Sequence, residues 1–216
     1  MRPMFYMGVY KDQFLAKLAI EALQKFYSDS PILCIADGTK DDIFSQFCAD
    51  RGVQYTEGER LKLPQFAGRW TERFLKLFLQ TDASLVIKID PDTRVNRAVE
   101  EFPKASIFSM FRYYLNGKRI LNGPAIGFTR EAAQAILDSG LLHDEKYTTY
   151  WYAYPRFRAP MLRPWEEEKF DEFVSLQDEI TTDVVERLGL SFAEWGDVSL
   201  TDQNAAFVHP PNEPYS

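Results

Sequence analysis

Very little in this chain can be cross-linked or can span a lipid bilayer. Only two cysteines, Cys34 and Cys48, occur in 216 residues. That excludes a disulfide framework and a four-thiolate zinc site. Both stand in segments that read as core, which suits buried free thiols. No window approaches the roughly 20 consecutive apolar residues of a membrane span. The apolar start MRPMFYMGVY is too short and too broken for a secretory leader. Basic charge is not in excess: 25 basic residues face 32 acidic ones, a net charge of −7. Nucleic acid is therefore not an expected partner, because it demands a dominant basic face. Histidine is as scarce as cysteine, with only His143 and His209. The expectation is a cytoplasmic protein of one domain with a sizeable core and no transmembrane segment.

What is present is an alternation of short apolar runs and amphipathic stretches. Phe5–Tyr10, Pro31–Ala36, Val53–Tyr55 and Leu85–Ile89 read as strands. Between them, Asp12–Tyr27, Asp41–Gly52 and Arg69–Gln80 carry apolar residues at helical spacing. Gly52 stands where a helix C-terminal glycine should. Such alternation predicts an α/β fold, a mostly parallel central sheet with helices on both faces. Ligands of these sheets bind beyond the carboxyl ends of the strands. Asp12, Asp37, Asp90 and Asp92 all follow strand ends and fall on that rim.

The second half is less regular. Ser106–Tyr114 reads as a strand, Gly117 as a turn and Ile120–Leu121 as the start of a return strand. GPAIGF then leads into a helix, Thr129–Ser139, with Thr129 as N-cap but no capping box, since Ala132 stands at the third position. Leu176–Leu188 is expected to be a helix, with Leu176, Ile180, Val184 and Leu188 on one stripe.

The stretch LVIKIDPDT, Leu85 to Thr93, carries the most chemistry. An apolar run broken only by Lys88 ends on two aspartates with a proline between. In an extended chain alternate residues face one way, so Asp90 and Asp92 share a side. Pro91 has no N–H to continue a sheet ladder and ends the strand. Two close carboxylates repel unless one is protonated or a cation sits between them. Hard oxygen ligands suit Mg²⁺ or Mn²⁺, and such an ion holds a diphosphate. The competing structural reading is that Asp92 caps a turn and Asp90 pairs with a nearby base.

In order along the chain, FYMGVY, the rim residues Asp12 and Asp37, IDPDT, NGPAIGFTREAAQAIL, LQDEITTDVVERLGL and the late His209 resemble a nucleotide-diphospho-sugar glycosyltransferase of the GT-A fold with a D-x-D motif. The resemblance covers nearly the whole chain. It implies a Rossmann-related single domain, with a nucleotide-sugar half over 1–97 and an acceptor half over 98–216. It implies Mn²⁺ or Mg²⁺ on Asp90, Asp92 and His209, and a nucleoside diphosphate sugar as donor. Tyr10, Asp12, Asp37, Arg69 and Asp90 would then line the nucleotide.

Asp178 and Glu179 are candidates for the base that takes the acceptor's hydroxyl proton in an inverting transfer. Ser175-Leu176-Gln177-Asp178 also reads as a helix cap. Arg69, Arg73 and Lys76 share helical spacing, one to reach the diphosphate and the others to face solvent. Asp37-Gly38 reads equally as a plain turn, and His143 as an exposed turn residue. Tyr147 to Trp165 is rich in aromatic residues and arginine. It reads as a site for a saccharide or lipid-linked acceptor, as a peripheral membrane contact, or as rings packed on the core.

Two other readings remain open at this level. Asp90-Pro91-Asp92-Thr93-Arg94, with Gly196-Asp197 and Asp202, also resembles a haloacid-dehalogenase-like phosphatase. There, Arg94 stands where threonine belongs, and the nucleophile strand is usually the first. The other is a non-catalytic nucleotide- or carbohydrate-binding protein of the same fold. A sugar-nucleotide pyrophosphorylase would need a glycine-rich N-terminal loop that this chain lacks.

Overall fold

The computed structural model describes residues 2–38, 40–59, 61, 67–113, 119–144 and 177–209. The aromatic stretch 147–165, Gly117, Ser175 and the side chain of Glu179 lie outside the described residues.

Seven strands form one sheet in the order β3-β2-β1-β4-β7-β6-β8. Its parallel part is β1 (Pro3–Val9), β2 (Ile32–Asp37), β3 (Gln54–Gly58) and β4 (Leu85–Ile89). These strands connect through α1 (Gln13–Phe26), α2 (Asp42–Asp50) and α3 (Ala67–Leu79). β1 and β4 are buried along almost their whole length, so their sequences are continuous apolar runs rather than alternations. On one face Phe5, Met7 and Ile87 pack with Ile20 and Leu23 of α1 and Phe44 of α2. On the other, Tyr6, Ile35 and Val86 pack with Phe74 and Phe78 of α3. Ile136 of α4 (Arg130–Ser139) and Val184 of α5 (Gln177–Arg187) complete that second core. Helices therefore cover both faces, as the strand–helix alternation implies.

The described boundaries match the sequence expectation to within a residue or two for α1, β2, α2, α3 and α5, and β4 matches at both ends. Thr129 caps α4, its Oγ1 accepting from the Ala132 N–H at 3.3 Å. Gly52 and Gly140 follow their helices with φ of +66° and +67°, left-handed values that favour glycine. Cys34 and Cys48 are both free and buried.

In the second half the return strand expected at Ile120–Leu121 is longer than that start, and it includes the GPAIGF stretch. β7 (Arg119–Thr129) runs straight through Gly123-Pro124 and lies antiparallel to both β4 and β6 (Ile107–Tyr113). The ladder steps from Ser109↔Ile126 to Met110↔Asn122, so Gly123, Pro124 and Ala125 bulge out of register. A bulge is where a strand tolerates proline. Its freed carbonyls are not wasted. Ala125 O accepts from Ser109 Oγ at 2.8 Å, and Pro124 O accepts from the Asp90 N–H at 3.0 Å and Thr93 Oγ1 at 3.1 Å.

Three further strands carry no legible pattern: β8 (Phe192–Glu194), β9 (Val198–Ser199) and β10 (Phe207–Val208). β8 extends the main sheet beside β6. β10 pairs with β9 and, antiparallel, with β5 (Arg94–Val95), through Phe207↔Val95 and Val208↔Arg94.

Gly127 offers a test of this register. A Cβ there would lie 2.2 Å from Phe108 Cε2, and Phe108 is itself packed against Trp195 with ring centroids 5.0 Å apart. Gly127→Ala should therefore destabilise by about 1–3 kcal/mol, the usual cost of overpacking a core. Urea denaturation checks this, and an unchanged midpoint would contradict the β6–β7 pairing.

Candidate metal and nucleotide site

β4 delivers Asp90 to the carboxyl rim of the sheet, and a turn does the rest. The Thr93 N–H donates to Asp90 O at 3.0 Å, closing a β-turn with Pro91 at its second position. Proline's fixed φ suits that position. The pair thus shares a site through a turn, not through continued extended chain as the alternation argument expects. Buried Thr93 anchors the turn to the β7 bulge through Pro124 O.

The small sheet then brings the far end of the chain alongside. Because Val208 pairs with Arg94, His209 falls next to Asp92, with Nε2 2.9 Å from Asp92 Oδ2. Asn96 Nδ2 donates to Gln203 O and Ala205 O, and Arg97 pairs with Asp197 at 2.5 Å, pinning this return segment. Ligand atoms of Asp90, Asp92 and His209 lie within 4.8 Å of one another. Two carboxylates and an imidazole form a donor set that fits a divalent metal ion.

Charge on this rim is crowded. Burial pushes the Asp92 carboxyl above its usual range, and the charge of Asp90 adds to the effect against His209 and Lys88. Asp12, at the start of α1, is also pushed up, first by burial and then by Asp92, so the two are electrostatic neighbours. Lys88 is 5% exposed, and its Nζ donates to Asp90 Oδ1 at 2.5 Å. Burial alone would lower the Lys88 pKa. Asp90, Asp178 and Asp92 outweigh it and raise the value instead. Asp90 thus pairs with a nearby base, as the structural reading expects, while one of its ligand atoms lies within 4.8 Å of those of Asp92 and His209.

Asp178 stands in the first turn of α5. Its carbonyl accepts from Thr182 Oγ1 at 2.7 Å, and that same buried oxygen accepts from the Leu121 N–H of β7 at 2.9 Å. Thr181 meets Thr71 of α3 at 3.3 Å. These buried threonines fix the helix start over the sheet, within electrostatic reach of Lys88.

Tyr10 sits at the β1 exit, with Lys11 Nζ 5.4 Å from its ring centroid. Lys11 has φ of +60°, the left-handed region where a side chain costs about 1–2 kcal/mol. Arg69 lines a cleft of about 400 Å³ between β3 and α3 that no residue of the triad lines, and Asp37 touches two of the cleft's other lining residues, Leu61 and Arg73. Asp37 Oδ1 accepts from the Leu61 N–H at 2.8 Å and lies 3.7 Å from Arg73 Nη2. Arg69 pairs with Glu59 at 2.5 Å. Deeper in, Tyr6 OH and Arg73 Nε and Nη2 are buried with no hydrogen-bond partner of good geometry among the described residues. Burial pushes the Tyr6 phenol up to about 12, although nearby Arg73 opposes the shift. His143 lies in a 3₁₀ turn, 3.2 Å from Glu72.

Among the described residues, neither Asp197 nor Asp202 joins the cluster of Asp90, Asp92 and His209. Asp197 is held by Arg97, and Asp202 Oδ1 accepts from the Asn204 N–H at 2.9 Å. A larger cleft, about 740 Å³, opens at the opposite rim beside Pro3, Tyr27 and Thr129, and no residue of the triad lines it. The residue that sequence reasoning missed is Lys88. A lone charge inside an apolar strand, two positions before Asp90 and so on its face, was the available signal.

No family model and no curated protein sequence matches the chain. Among solved structures it is similar to the galactosyltransferase LgtC in complex with donor and acceptor sugar analogs. The identity is 14% and the TM-score 0.54, with 100% of this chain and 90% of that one covered. With helices on both faces of a mostly parallel sheet and an Asp-x-Asp pair at the end of its fourth strand, this chain has the GT-A fold.

Proposed function

We propose that this chain is a metal-dependent glycosyltransferase, moving a sugar from a nucleoside diphosphate to a hydroxyl acceptor. The observation that carries the reading is the convergence of Asp90, Asp92 and His209 at the carboxyl end of β4 in a GT-A fold. In this reading Asp92 and His209 would hold the cation directly, with Asp90 beside them to meet the cation or the ribose. A divalent ion bound there supplies positive charge to the diphosphate as the sugar–phosphate bond breaks. Tyr10 and Asp12 line the nucleotide from the β1 exit. Asp37 and Arg69 bound its far side along the cleft over β3. Asp178, or its neighbour Glu179, accepts the proton of the attacking hydroxyl.

Residues 1–97 then serve the donor and 98–216 the acceptor, a saccharide or a lipid-linked one. No described helix is long and apolar enough to cross a membrane. The free buried thiols support a reducing, cytoplasmic setting. The neighbouring galactosyltransferase was solved with donor and acceptor sugar analogs, which supports a sugar-nucleotide ligand here.

The test is a panel of nucleoside diphosphate sugars, followed by release of free nucleotide. Turnover of one donor with Mn²⁺, abolished by chelation, is the expected result. Tight binding without release of nucleotide from any donor would make the chain a binding protein of the same fold.

His209→Ala gives a second check. The side chain is partly exposed and pairs with Asp92 at the surface of the site. Its loss should cost at most about 1 kcal/mol in metal-free buffer, yet weaken Mn²⁺-supported nucleotide binding by roughly 100-fold or more, beyond the range of a ligand's outer partners. Thermal melts with and without Mn²⁺ separate the two. A large metal-free loss would mark His209 as a packing residue instead.

A further inference from the structure

Lys88 is a charge in a place that needs a reason. Lysine is almost never buried unless paired, and this one stands mid-strand on the second core face, 5% exposed. Its Nζ is 2.5 Å from Asp90 Oδ1 and 5.7 Å from the Trp70 ring centroid. Asp178, at the start of α5, and Asp92, across the turn, add negative charge to its surroundings. The ammonium is thus held by direct contact with one carboxylate, that of Asp90, in a field made more negative by two others.

We propose that Lys88 is a positioning residue of the cation site, a built-in counter-cation that occupies one oxygen of Asp90 and competes with a divalent ion for that carboxylate. The inference rests on the reading of Asp90, Asp92 and His209 as cation ligands. With Lys88 in place, a divalent ion finds Asp92, His209 and only the second oxygen of Asp90. The ammonium also keeps Asp90 and Asp178 from repelling each other while no cation is bound. Lys88 therefore trades affinity for a bare cation against order in the empty site. Removing it should strengthen cation binding, which a merely structural lysine would not do.

The experiment is a calorimetric titration of Mn²⁺ into nucleotide-free protein, for the wild type, Lys88→Gln and Lys88→Arg. Lys88→Gln should bind Mn²⁺ at least about fivefold more tightly, the low end of what one unit charge is worth at this range. Lys88→Arg, which keeps the charge, should stay near wild type. A folded Lys88→Gln with unchanged or weaker affinity overturns the proposal and leaves the cation reading standing. A wild-type chain that binds no Mn²⁺ removes the cation reading, and the proposal with it. Should Lys88→Gln fail to fold, Asp90→Asn, Asp178→Asn and their double variant read the same linkage in EDTA. The double variant should lose more Tm than the two single losses added, because the ammonium is then stripped of two partners. Additive losses overturn the proposal.

Discussion

Asp92→Asn is expected to fold normally and to lose metal-dependent nucleotide binding. The side chain sits on the turn after β4, 2.9 Å from His209 and within ligand distance of Asp90. Burial and the neighbouring Asp90 already disfavour its charge. Neutralising it therefore removes a repulsive contribution along with the His209 pairing, and metal-free stability should change by less than about 1 kcal/mol. Cation affinity behaves differently. Partners of metal ligands, one bond network further out, are worth roughly 10–100-fold, so a direct ligand should cost at least the upper figure. The check is a set of melts of wild type and variant with UDP or GDP, with and without Mn²⁺. A variant that keeps the full Mn²⁺-dependent shift would contradict a direct role for Asp92.

Asp178→Asn should lower turnover by roughly 10²–10⁴-fold if Asp178 is the base, with donor binding unchanged. The substitution preserves shape and removes charge and basicity. Its backbone anchor would survive, since Thr182 Oγ1 bonds the Asp178 carbonyl and not the carboxylate. A purely capping carboxylate would instead cost about 1 kcal/mol of stability and little rate. Measuring kcat and thermal stability on the same protein separates the two. Glu179→Gln is the paired control. Near wild-type turnover in both variants would remove this acidic pair and favour a base elsewhere or a retaining transfer.

The parallel half of the fold was legible because its physics is local. β1, β2 and β4 are buried on both faces and so read as apolar runs, and α1 to α3 show their buried stripe at helical spacing. The D-x-D pair was legible for the same reason, since it ends the cleanest of those runs. The geometry that joins the pair was not, because a turn closed by Thr93 depends on a carbonyl from Pro124 in a different strand. The return strand expected to start at Ile120–Leu121 runs on through Gly123-Pro124 to Thr129, because a bulge lets it pass. β5, β9 and β10 are two residues long each, too short for any period. They are nonetheless what carries His209 to Asp92. The place of His209 could be taken only from the family resemblance, whereas the pairing of Val208 with Arg94 supplies the physical cause. Asp37 reads as a nucleotide contact through the resemblance and equally as part of a plain turn. Its carboxylate also holds the Leu61 N–H, a loop contact that no local pattern announces.

The central claim is a cation-dependent nucleoside diphosphate site, and a thermal-shift panel tests it most directly. UDP, GDP, ADP and CDP are each added to the wild-type chain, with Mn²⁺ and with EDTA. A ligand at a hundred times its Kd stabilises by about 2.7 kcal/mol, which for a chain of this size is a rise of about 5–10 °C in Tm. The account predicts such a rise for at least one nucleotide with Mn²⁺, and its collapse in EDTA. A nucleotide shift of equal size in both buffers, or none with any nucleotide, would contradict it.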